Sequence, residues 1–111
     1  MEVKSEFSAF IMAVLRDHRI GPTHIALYAA IFHLYEMNGT VNPVPVTRSL
    51  IMNAAKIYGV ATYHKCLRDL VHGGYVRYEP SFDGRVMSKV WVVGVRDGES
   101  DTDRIQSDKI G

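Results

Sequence analysis

The sequence has a single cysteine, Cys66, in 111 residues. No internal disulfide can staple the fold, and a reducing, cytoplasmic setting is the expectation. No apolar run reaches the roughly 18 residues that a membrane-crossing helix needs, so no membrane partner is expected. The opening stretch, MEVKSEFSAF, lacks the charged start and cleavage site of a secretory signal. Charge of one sign is scarce as well. Thirteen basic against twelve acidic side chains leave +1, short of the excess that announces a nucleic-acid partner by itself. His18, His24, His33 and His72 show no metal-ligand spacing, and Cys66 has no CxxC neighbour, so neither metal nor other cofactor is expected. No carboxylate pair, nucleophile motif or phosphate loop stands out, and the chain does not read as an enzyme.

What charge there is lies unevenly. Residues 47–89 hold seven basic side chains (Arg48, Lys56, Lys65, Arg68, Arg77, Arg85, Lys89) and three acidic ones (Asp69, Glu79, Asp83), whereas both flanks are slightly acidic. That basic region surrounds the most regular stretch of the chain, VATYHKCLRDLVHGGYV. There Tyr63, Cys66, Leu67, Leu70 and Val71 recur at the spacing of one buried helix face. Thr62, His64, Lys65, Arg68 and Asp69 fall on the other face, a polar row rich in donors. Gly73 and Gly74 supply the stop, and Tyr75-Val76-Arg77-Tyr78 then alternates like a strand.

The flanks give the architecture. One domain over residues 1–95 is expected, with a first helix over 5–18 capped by Ser5 and buried through Phe7, Phe10, Ile11, Val14 and Leu15. Arg16, His18 and Arg19 would close its dipole. A second helix over 22–38 opens at Pro22 and ends at Asn38-Gly39. It is apolar nearly all round: Leu27, Ala30, Ile31 and Leu34 form one stripe, and Tyr28, Phe32 and Tyr35 a second. Such a helix needs cover on two sides, the second from the first helix folded over it or from a partner subunit. VNPVPV, with two prolines, reads as a loop ending in a short edge strand. A third helix over 47–57 has Leu50, Ile51 and Ala54 as core candidates, and Tyr58-Gly59 makes the turn into the helix over 60–73. A hairpin over 75–95 follows, with a polar turn at 80–85 and a second strand from Val86 to Val95. Asp83-Gly84 is its turn signal. Residues 96–111, polar and nearly free of aromatics, read as a flexible tail. The predicted fold class is mainly α with a small β-hairpin.

The order helix, helix, helix-turn-helix, hairpin resembles a bacterial winged helix-turn-helix DNA-binding domain. The residues that carry this are Ala61-Thr62-Tyr63-His64-Lys65-Cys66-Leu67-Arg68-Asp69-Leu70 followed by Gly74-Tyr75-Val76. More narrowly, PTHIALYAAIF, ATYHKCLRDL and GYVRYEPS are similar to small winged-helix proteins associated with mobile elements. The resemblance implies a recognition helix over 60–73 with Thr62, His64, Lys65 and Arg68 as contacts. It implies Arg48 at the start of the preceding helix, and Arg85 and Lys89 in the wing. One departure is the acidic pair Asp69 and Asp83 among those charges. The expected function is a transcriptional regulator that binds duplex DNA as a homodimer paired through residues 5–38. Two alternatives stand beside it: a winged helix used for protein–protein contact, and the DNA-binding part of a mobile-element replication apparatus. Tyr63 is expected in the core, and Thr62 has a second reading as a helix N-cap.

Overall fold

The computed structural model describes residues 6–93. In chain order the elements are α1 (Glu6–Val14), α2 (Pro22–Met37), β1 (Val44–Val46), α3 (Arg48–Ala55), α4 (Val60–His72), β2 (Val76–Glu79) and β3 (Ser88–Val92). The described residues thus form a small mixed α/β structure of four helices and a three-stranded antiparallel sheet. Ser5, Val95 and the tail over 96–111 lie outside the described residues.

The packing centres on α2, because two of its sides are apolar and only the side of His33 and Glu36 faces water. Leu27, Ala30 and Ile31 are buried against the rest of the core, and α3, α4, β1 and β3 all touch this helix. The second stripe, Tyr28, Phe32 and Tyr35, is buried too. Its cover is α1, which lays Phe10 flat on Tyr28 at 3.7 Å between ring centroids and Phe7 against Phe32 at 5.7 Å. Pro22 opens α2, where a missing N–H costs nothing. At the other end the chain turns through Asn38 and Gly39, whose φ of 74° suits glycine.

The first helix is shorter than its sequence suggests. After Val14 the backbone tightens, with Arg16 N–H donating to Ala13 and Asp17 N–H to Val14, and the α-ladder stops. Leu15 therefore projects into water, 74% exposed, instead of joining the core. Arg16, His18 and Arg19 fall beyond the last turn, so they do not cap its dipole. Arg19 instead clamps Asp17 with two nitrogens at 3.0 Å, and the Tyr75 hydroxyl donates to the same carboxylate at 2.7 Å. Those bonds hold the Asp17 carboxyl far below the usual range, and they tie the chain after α1 to the chain after α4.

The phase of α3 also differs. Thr47 caps it, its hydroxyl accepting from Leu50 N–H at 3.1 Å. With the helix so fixed, Ile51 and Ala55, one turn apart, face inward, and Leu50 and Ala54 are exposed. The reversal begins earlier than Tyr58-Gly59, at Lys56, which takes a left-handed φ of 62°.

The sheet order is β1-β3-β2. VNPVPV does end in an edge strand, and Asn42 extends its pairing. The Asn42 amide exchanges two hydrogen bonds with the Val92 backbone, at 2.9 and 3.0 Å. Val76, Val90, Val92, Val44 and Val46 point into the core. On the outer face Arg77 lies over the half-buried Trp91 ring, 4.4 Å from its centroid. β3 starts at Ser88 rather than Val86, because Val86 N–H is used by Asp83 within the connecting loop over 80–87. Asp83-Gly84 therefore sits inside a long loop and not in a two-residue turn. No described helix is long and apolar enough to cross a membrane.

Candidate nucleic-acid interface

Helix α4 divides cleanly into two faces. Tyr63, Cys66, Leu67 and Leu70 are buried, and burial pushes the Cys66 thiol up. Thr62, His64, Lys65 and Arg68 are all exposed along the opposite side. Thr62 is not the N-cap: that position is Gly59, which has no side chain to offer, and Thr62 is exposed on the helix surface. At the other end Gly74, with φ of 81°, turns the chain into β2. Gly73 must be glycine for space, since a Cβ there would meet the Tyr75 ring at 2.5 Å.

Asp69 sits at the border of the two faces. It accepts from His24 at 2.8 Å and from Lys65, one helical turn back, at 3.0 Å. His24 is itself in the first turn of α2, and its Nδ1 accepts the Gly21 backbone N–H at 3.0 Å. With Nδ1 committed as acceptor, the ring proton is on Nε2, and it is this proton that His24 donates to Asp69. The Asp69 carboxyl is held down to about 2, first by the His24 bond and then by Lys65. The acidic residue on the polar row is thus an anchor between α4 and α2, with Lys65 drawn toward it. Arg68 and Arg48 have no carboxylate partner among the described residues.

The remaining basic residues divide between two places. Arg48 is the first residue of α3, and the pairing of Val46 with Ser88 sets that helix start beside the base of loop 80–87. The buried Tyr63 hydroxyl feels both sides of this junction. Desolvation pushes it up to about 12, Tyr78 adds to the rise, and Arg48 opposes it. His64, Leu67, Arg68 and Val71 of α4 line an open cleft whose far wall is Tyr78 of β2. Arg48 thus lies beside the base of the hairpin loop, and β2 runs along α4 past His64, Leu67, Arg68 and Val71. Arg85 is in that loop, 90% exposed, and leans on Asp83 at 3.3 Å. Lys89 stands apart, on the outer face of the sheet between Glu79 and Pro45 in register.

Sequence reasoning passed over Tyr78, which walls the cleft, and Arg77, which covers Trp91. Both sit in the alternating run after Gly74, and that alternation was the available signal. It also passed over His24, whose link to Asp69 spans 45 residues and leaves no local pattern. Among the described residues no group of three His, Cys, Asp or Glu side chains could hold a metal ion. Comparison with protein-family models, with curated proteins and with solved structures returns no match.

Proposed function

We propose that the chain binds duplex DNA as a transcriptional regulator of the winged helix-turn-helix type, with α4 in the major groove and the β2–β3 hairpin as the wing. The observation that carries this reading is the exposed row Thr62, His64, Lys65 and Arg68 on a helix whose other face is wholly committed to the core. A helix needs that division to be held rigidly while its outer side chains reach base edges. Arg68 and Arg48, without carboxylate partners among the described residues, are suited to phosphate. Lys65 serves phosphate or a guanine edge, and His64 and Thr62 base edges. Arg85 and Lys89 add backbone contacts from the hairpin.

The assembly that goes with this reading is a homodimer paired through residues 5–38. Its support is the shallow hollow lined by Phe7, Ala29, Phe32, His33 and Glu36, together with the exposed Met12, Leu15 and Met37. Twofold readers double the contacts of a modest single site. Light scattering then returns twice the 12.5 kDa chain mass at micromolar concentration. A clean monomer removes this part of the proposal.

A second reading is protein–protein contact by the same end of the molecule. Tyr58, 84% exposed, and the half-exposed Leu50 and Val60 favour it. Selection from a random duplex library separates the two. Enrichment of one motif supports DNA readout, whereas no enrichment, with a salt-insensitive protein partner captured instead, supports the second reading.

A further inference from the structure

The most exposed large apolar side chain in the described structure is Phe82, 96% open to water, and it stands in the β2–β3 loop just before the turn at Gly84 and Arg85. Val86 and Met87 on the same loop are also exposed. Fold stability does not explain this placement, because the ring buries almost nothing. Nor is the loop loosely built. Ser88 Oγ accepts from Ser81 N–H at 3.0 Å and closes the base of the loop. Ser81 Oγ accepts from Asp83 N–H, and the Asp83 side chain accepts from Arg85 N–H at 2.9 Å. Asp83 backbone oxygen accepts from Val86 N–H at 2.9 Å. These bonds present Phe82 outward with Arg85 three residues behind it.

We infer that Phe82 is an apolar wedge that enters the minor groove of the same duplex and presses against or between base pairs. The inference rests on the proposed DNA-binding role and adds a second, non-polar readout to it. Three observations choose this occupant. The loop leaves the sheet beside the start of α3 at Arg48, and Tyr78, two residues before it, walls the cleft that His64 and Arg68 of α4 line, so the loop adjoins the proposed DNA-reading face. Within the loop the cation is Arg85, 90% exposed and three residues from Phe82, leaning on Asp83. An aromatic ring flanked by a guanidinium matches the way minor-groove proteins unstack a base step while holding the backbone. The wedge reads deformability, so flexible pyrimidine–purine steps are favoured at the position it reaches.

The test uses the full chain and the duplex enriched by selection, carrying the fluorescent adenine analogue aminopurine at successive steps. Wild type, Phe82→Ala, Phe82→Trp and Lys65→Ala are compared for affinity, salt slope and aminopurine fluorescence. Because Phe82 is in solvent, all variants should melt with wild type. The expected result is a fluorescence rise at one step with wild type and Phe82→Trp. Phe82→Ala should lose that rise and bind about five- to a hundredfold more weakly. Its salt slope should be unchanged, since no charge is removed. Lys65→Ala should keep the rise at saturation while its salt slope falls. Equal affinity and equal fluorescence for wild type and Phe82→Ala would overturn the wedge and leave the DNA-binding role standing. So would a Phe82→Ala effect confined to self-association or to binding anionic vesicles. Wild type that binds no duplex would overturn the functional reading, and the wedge with it.

Discussion

Two residues of α4, two positions apart, should respond to alanine in opposite ways. Leu70 is fully buried against α2 and the sheet, while Arg68 is exposed and has no carboxylate partner among the described residues. Leu70→Ala removes the transfer energy of its side chain and leaves a cavity that the interlocked core only partly closes, a loss of about 2–5 kcal/mol. For a domain near this size each kcal/mol moves Tm by about 4–8 °C, so the melting point should fall by at least about 8 °C. Arg68→Ala should stay within about 0.5 kcal/mol of wild type, a shift of no more than about 4 °C. Urea unfolding followed by circular dichroism checks both, with the midpoint moving and m constant for Leu70→Ala. Duplex affinity measured well below each melting point should show the reverse order, with Arg68→Ala weakened and Leu70→Ala near wild type. A stable Leu70→Ala, or an Arg68→Ala that loses more than about 2 kcal/mol of stability, would refute the two-faced account of this helix.

Three further outcomes follow from individual contacts. The Tyr63 hydroxyl is buried with no hydrogen-bond partner among the described residues, so Tyr63→Phe should be neutral or should stabilise by up to about 1–3 kcal/mol in thermal unfolding. Asp69 and Asp17 have depressed folded pKa values, so their contribution is complete above about pH 4. It is lost as pH falls through about 2 for Asp69 and lower for Asp17, which an acid titration of Tm will show. Asp69→Asn keeps an oxygen for His24 while releasing Lys65, so at low salt duplex affinity should rise, and the gain should vanish as salt screens it.

Where a pattern is local, the sequence announces it. The span predicted for the central helix, 60–73, matches Val60–His72, because five apolar positions and a glycine stop agree on one phase. The two stripes of α2 are equally plain, and their burial follows from apolar side chains on two sides of one helix. Leu50 and Ala54 went wrong because α3 is short: only Thr47 capping fixes its phase, and one residue of offset turns a core position outward. Leu15 went wrong because helix ends are set by backbone bonds that side-chain periodicity does not record. The site was legible as a list of exposed polar side chains on α4. Its electrostatics were not, since whether Asp69 faces the ligand or the core depends on His24, brought there only by tertiary packing.

Salt dependence of duplex binding is the most direct test of the central claim. Arg48, Arg68 and Lys89 have no carboxylate partner among the described residues, whereas Lys65 and Arg85 lean on Asp69 and Asp83. Three to five phosphate contacts per subunit give a slope of log K against log salt between about −2.7 and about −4.5 for each subunit engaged, and twice that for the homodimer. Lys65→Ala with Arg68→Ala in one chain should make that slope shallower by about 1–2 per subunit while the fold is retained. A wild-type slope near zero, or a double variant with the slope and affinity of wild type, would contradict the assignment of α4 as the DNA-reading element.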